Sequence, residues 1–261
     1  MRYLFLFFTI AFFSASPSWA GESIPYNDGA VALEGYWAAS QCPSEKPAPA
    51  VLVIHQWMGL TPYEKMRADM LAAQCYNAFA VDMYGKGIRP GNYDEAGAQA
   101  GKYKSDPALA RRRIKAALDY VRTRTDINPA RIGVIGYCFG GSMALELARS
   151  GADINSVISF HGGLSTPAPA TKPGSIKAAI QIHHGAADPH VPPDEVAAFK
   201  AEMTAADADW SLTQYAGAVH AFTQKGAGDD PAKGVAYNEK ADRRSWQALL
   251  DFLSDLFGTV K

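Results

Sequence analysis

Short apolar runs alternate with amphipathic stretches along this chain. The runs at 50–54, 78–81, 131–135, 156–160 and 178–183 are rich in Val, Ile, Ala, Leu and Phe. This is the pattern of strands buried on both faces of a parallel sheet. Residues 31–37 and 210–215 read as further strands, the first of them antiparallel. Between the strands the spacing becomes helical. Residues 63–74 carry Met66, Met70 and Leu71 on one side. In 109–122, Leu109, Ile114, Ala117, Leu118 and Val121 oppose Arg111, Arg112, Arg113, Lys115 and Arg122, and the basic run reads as a solvated face. Residues 141–149 and 193–205 are also helical, and 242–257 closes the chain with Trp246, Leu249, Leu250, Leu253 and Leu256 inward. Strands alternating with helices predict the α/β class: a mainly parallel central sheet flanked by helices on both faces. Functional sites in such sheets lie at the carboxyl ends of the strands.

The first 20 residues stand apart. Arg2 precedes an apolar run over 3–13 broken by Thr9, then a small, polar stretch ends in Ser18-Trp19-Ala20. Ser18 and Ala20 fit the -3 and -1 positions of a cleavage site, so 1–20 reads as a secretory signal peptide. The apolar core is too short for a membrane anchor, which needs about 20 residues. The protein is therefore expected outside the cytoplasm, in a bacterial periplasm, with no membrane attachment after cleavage. Residues 21–261 show no linker, repeat or low-complexity run and form one domain, long enough for a substantial core. A formal net charge of -1 gives no reason to invoke nucleic acid or a membrane surface. A monomer is the expectation. An exported chain can form disulfides, and Cys42, Cys75 and Cys138 allow one pair with one left over. Cys42 and Cys75 precede the strands beginning near 50 and 78, neighbours in this fold, so they are the expected pair and Cys138 the free thiol.

Cys138 lies in the most informative segment, Gly136-Tyr137-Cys138-Phe139-Gly140-Gly141, between a strand and a helix. This is the Gly-x-Cys-x-Gly form of a nucleophile elbow, with small neighbours two residues to either side. A thiol at a helix N-terminus is favoured as thiolate by the dipole and the free N–H groups. Asp188 follows the strand near 183, and His220 follows the strand near 215. The order nucleophile, acid, histidine is that of the α/β-hydrolase fold. Each residue type has its own role. The thiolate attacks a carbonyl, His220 manages the proton and activates water, and Asp188 orients and stabilises the imidazole. Alone, each residue reads as a buried cysteine, a turn aspartate and a structural histidine. Their joint order at strand ends favours chemistry. The oxyanion hole needs two backbone N–H groups. Phe139 supplies one, and Trp57, in the loop His55-Gln56-Trp57-Met58-Gly59, the other. Trp57 and Met58 read as pocket wall in preference to core. His55 and His161 either line the pocket or are satisfied polar residues. His183, His184, Asp188 and His190 show no standard zinc spacing, and adjacent strand residues face opposite ways, so no metal is expected.

These segments resemble the dienelactone hydrolase family. The resemblance is carried by the Cys138 elbow, Ser159-Phe160-His161-Gly162-Gly163, Gly185-x-x-Asp188-x-x-Val191-Pro192, His220-x-Phe222 and the stretch 74–85, and it runs over most of residues 25–257. It implies an α/β-hydrolase fold, a triad of Cys138, Asp188 and His220, oxyanion donors at Phe139 and Trp57, and hydrolysis of small esters or lactones without a cofactor. Gln56, His55, Met58, His161 and Phe222 become the expected pocket residues. Two positions depart from the family pattern. Gln56 stands where the family has a glutamate that helps manage the thiol proton. Thr223 and Gln224 follow Phe222 where the family has an arginine for a substrate carboxylate. These departures keep a second function class open, a ligand-binding protein on a hydrolase scaffold. A third, a thiol-redox protein, lacks a Cys-x-x-Cys motif.

Overall fold

The computed structural model describes residues 21–42 and 47–258; the signal peptide expected at 1–20 lies outside them. Among the described residues the apolar runs assemble one eight-stranded sheet. Its strands are β1 (Glu22–Asp28), β2 (Val31–Ala38), β3 (Ala48–Ile54), β4 (Asn77–Val81), β5 (Ile127–Tyr137), β6 (Ser156–Phe160), β7 (Ala179–Gly185) and β8 (Trp210–Tyr215). Their spatial order is β1-β2-β4-β3-β5-β6-β7-β8. The β1–β2 and β2–β4 pairs are antiparallel, and every later neighbour is parallel. The helices are α1 (Pro62–Ala72), α2 (Tyr93–Lys104), α3 (Pro107–Arg122), α4 (Phe139–Arg149), α5 (Pro193–Ala205) and α6 (Glu239–Phe257).

Strand alternation divides the core into two layers. Ala50, Leu52 and Ile54 of β3 face Ile114, Leu118, Met143 and Leu147 of α3 and α4. Val51 and Val53 face the other way, toward Leu71 of α1 and Leu249 and Leu253 of α6. Burying each such side chain is worth about 1.5–3 kcal/mol, which is why continuous apolar runs mark the central strands.

Weakly patterned elements escape the sequence reading. The β1 segment is polar and contains Pro25, yet it pairs along its length with β2 as an edge strand and buries only Tyr26. The α2 segment presents just Ala96, Ala100 and Tyr103 to the core and is capped by Asn92. Three inward faces also differ from expectation. In α1 the buried side chains include Glu64 and Arg67, while Met66 is exposed. The basic run of α3 is not wholly solvated, because buried Arg113 pairs with Asp28 and donates to the Met83 carbonyl. At the end of α6, Leu256 faces solvent and Phe257 turns in. Buried ion pairs and hydrogen bonds make polar residues core residues at these places, which an apolar pattern does not register.

Cys42 and Cys75 form a disulfide with Cα atoms 5.1 Å apart. They lie after β2 and before β4, at the edge of the sheet opposite the carboxyl ends of the parallel strands. Cys138 is a free cysteine.

Candidate active site

Strand β5 ends at Tyr137 and α4 begins at Phe139, so a single residue makes the turn. Cys138 occupies it with φ 54° and ψ -118°, a conformation that L side chains rarely adopt. The glycines on either side make this turn fit. A Cβ at Gly136 would strike the Gly140 backbone, and one at Gly140 would strike the backbone of Ile54 and His55. The second clash shows that α4 starts directly against the carboxyl end of β3. The loop that follows β3, rooted at His55, is therefore held beside the elbow.

The half-buried Cys138 Sγ lies 3.1 Å from His220 Nε2, and His220 Nδ1 lies 2.8 Å from Asp188 Oδ2. The other Asp188 oxygen accepts from the His190 backbone N–H at 2.8 Å. The carboxylate side chain is fully buried, with both oxygens occupied. The His220 segment is tied down on both sides: its N–H donates to the Gly234 carbonyl, and its carbonyl accepts from Ala236 N–H. Among the described non-glycine residues with positive φ, Cys138, His161 and Ala221 all lie in or beside this cluster. Backbone strain is thus concentrated where the three side chains converge.

Burial pushes the Cys138 thiol up, but other contacts outweigh it. The hydrogen bond and charge of His220, the Phe139 N–H and the charge of Lys104 bring it below its ordinary value. Burial alone would depress His220. Its hydrogen bonds to Asp188 and Cys138, together with their charges, instead raise it to about 10. The two shifts act together and favour the thiolate–imidazolium form of the pair over the neutral one.

His161 sits beneath this pair, with its ring edge-on to His220 at 5.3 Å. Its Nδ1 accepts from the Cys138 backbone N–H at 3.2 Å, so Nε2 carries the proton and donates to Thr223 Oγ1 at 2.8 Å. Burial and the neighbouring His220 charge keep it neutral. Thr223 Oγ1 also meets Tyr63 Oη at 2.6 Å. Arg67 donates to Tyr63 Oη, to the Thr223 carbonyl and to Asp242. A continuous network thus joins the Cys138 backbone to α1 and α6.

In the loop after β3, Gln56 N–H donates to Glu64 Oε1 at 3.1 Å, and Thr61 donates to Glu64 Oε2 through its N–H and hydroxyl. Burial raises the Glu64 carboxyl above its usual range, against the pull of these donors. Among the described residues, no acceptor takes the Trp57 N–H. Tyr84 Oη donates to the Trp57 carbonyl at 2.8 Å, and the Trp57 ring stacks on exposed Tyr93 at 5.3 Å.

The structure brings Cys138, Asp188 and His220 together, with Phe139 next in the chain and Trp57 linked to it through Tyr84, whose ring packs on Phe139. Trp57 and Met58 remain partly exposed. The sequence reading also assigns His55, His161 and Phe222 to the pocket wall, but all three are fully buried and support the site from behind. Hydrogen bonding and aromatic packing hold them there: His55 bonds the loop backbone, and Phe222 packs edge-on to His161. Gln56 is also nearly buried, at 6% exposure. His183 bonds Tyr215 and Gln181, whereas His184 turns toward Asp188. Among the described residues, no cluster of three His, Cys, Asp or Glu side chains is placed to hold a metal. Sequence reasoning missed Glu64, Tyr63, Arg67 and Thr223. Thr61-x-x-Glu64 is a legible capping box, but the Tyr63–Thr223 contact spans 160 residues and has no local signature.

The family model of the dienelactone hydrolase family matches residues 33–257. A solved dienelactone hydrolase-like promiscuous phosphotriesterase from metagenomic libraries is 33% identical, with 91% of this chain and 98% of that one covered at a TM-score of 0.84. A structure described as m3DLH is 32% identical with the same coverage, 91% and 98%, and a TM-score of 0.86. An uncharacterised protein of Caenorhabditis elegans is 36% identical over 146 residues, covering 56% of this chain and 92% of that protein.

Proposed function

Because the chain belongs to the dienelactone hydrolase family, we propose that it is an exported hydrolase of small, uncharged esters or lactones that uses Cys138 as nucleophile. The observation that carries this reading is the alignment of Cys138 Sγ, His220 and Asp188 at 3.1 and 2.8 Å. The thiolate attacks the carbonyl carbon, and the Phe139 and Trp57 N–H groups receive the developing oxyanion. Collapse expels the alkoxide, which takes the proton from His220 and leaves a thioester on Cys138. Neutral His220 then removes a proton from water as its oxygen attacks the thioester. The second tetrahedral intermediate releases the carboxylic acid and restores the thiolate and imidazolium.

The preference for uncharged substrates follows from the guanidinium groups; Lys104, whose charge reaches Cys138, is a point-charge ammonium without a bidentate grip. Arg67 is committed to Asp242 and the Thr223 carbonyl, and Arg89 to the Leu60 and Ile88 carbonyls. Gln224 brings no charge where the family places an arginine. A free guanidinium for a substrate carboxylate is therefore not offered by these residues. The Cys42–Cys75 disulfide supports export to an oxidising compartment.

The test is a panel of neutral esters, neutral lactones, carboxylate-bearing lactones and a phosphotriester, the last prompted by the relative's described activity. Cys138-dependent turnover favouring neutral esters or lactones is expected. Preference for the carboxylate-bearing lactones, or full activity in Cys138→Ala, contradicts the reading.

A further inference from the structure

Gln56 is gripped through both of its main-chain groups by buried side chains. His55 is fully buried just after β3. Its Nε2 accepts from the Met83 backbone N–H at 3.2 Å, so the ring proton must sit on Nδ1. That Nδ1–H donates to the Gln56 carbonyl at 2.5 Å, and Gly59 N–H donates to the same oxygen at 3.2 Å. On the other side, Gln56 N–H is held by fully buried Glu64. A peptide unit is planar and trans, so its C=O and N–H point in opposite directions. Fixing the Gln56 carbonyl therefore fixes the direction of the Trp57 N–H, which no acceptor among the described residues takes. Close packing of Gly140 against Ile54 and His55 brings this peptide beside the elbow.

We propose that His55 and Glu64 are positioning residues that clamp the Gln56 main chain and so aim the Trp57 N–H into the oxyanion hole. The inference rests on the thiol-hydrolase reading above. It separates two properties of the site. Alkylation of Cys138 by iodoacetamide needs a reactive thiolate and no oxyanion hole. Ester hydrolysis needs both.

The experiment compares p-nitrophenyl acetate turnover with iodoacetamide alkylation in wild type, His55→Phe, His55→Asn, Glu64→Gln and Cys138→Ala. Phe fills the His55 site without a donor, whereas the Asn amide can reach the Nδ1 position. Glu64→Gln keeps the side-chain shape but turns one acceptor into a donor facing N–H groups. A misaimed donor is expected to lower kcat by about 10–100-fold in His55→Phe and Glu64→Gln. KM and the alkylation rate should stay within about two-fold, because uniform binding and the thiolate are untouched. His55→Asn should recover several-fold of the kcat lost in His55→Phe. If His55→Phe does not fold, Glu64→Gln and His55→Asn decide. The proposal is overturned if the folded variants turn over like wild type, or if alkylation falls in step with kcat. Turnover surviving in Cys138→Ala instead marks failure of the thiol-hydrolase reading itself.

Discussion

At the residue scale, the proposed reactivity rests on a depressed thiol beside a raised imidazole. The Cys138 thiol is lowered and His220 is raised to about 10, so thiolate and imidazolium coexist between the two values. As pH falls through the thiol's pKa, the nucleophile is protonated and alkylation is lost. As pH rises through the histidine's, the imidazolium that protonates the leaving group is lost. Turnover against pH should be bell-shaped, and iodoacetamide alkylation should already be fast at neutral pH. A thiol that titrates like free cysteine contradicts the ion pair. Gln56 bears on the same equilibrium. Gln56→Glu places negative charge near the thiolate, and the alkylation profile should move to higher pH. Superimposable profiles would mean that position 56 does not tune the nucleophile. Cys138, Asp188 and His220 were legible in the sequence because the elbow has a local glycine signature and the triad a fixed chain order. Thr223 and Arg67 were not, since their contacts exist only after distant segments meet.

At the element scale, the site depends on how α4 meets β3. Gly140 has no room for a Cβ against the Ile54 and His55 backbone. Gly140→Ala should push α4 away from β3 and separate the Phe139 and Trp57 N–H groups. Overpacking of this kind costs about 1–3 kcal/mol. The substitution should lower both the denaturant midpoint and kcat, and a variant with an unchanged midpoint would contradict the close contact. The central strands and α3 were legible because they bury apolar faces. The α2 helix was not, since its core face is two alanines and a tyrosine. The inward face of α1 was misread for a related reason: Glu64 and Arg67 enter the core through hydrogen bonds and an ion pair, while Met66 does not enter at all.

At the scale of the whole molecule, the site and the disulfide occupy opposite edges of one sheet. Closing the loop between Cys42 and Cys75, separated by 33 positions, contributes about 3–4 kcal/mol in the chain-entropy model. The Cys42→Ala, Cys75→Ala double variant should unfold at lower denaturant yet keep Cys138-dependent turnover when folded. Equal unfolding midpoints would show that the bridge does not stabilise the chain. Protein from its native host should begin at or near Gly21, and an intact Met1 would remove the periplasmic assignment. The central claim is the thioester on Cys138. Its most direct test is acid-quenched intact-mass and peptide mass analysis during p-nitrophenyl acetate turnover. An acetyl group on the Cys138 peptide, released by hydroxylamine and absent in Cys138→Ala, is the predicted result. An acetyl group on another residue, with turnover persisting in Cys138→Ala, would contradict it.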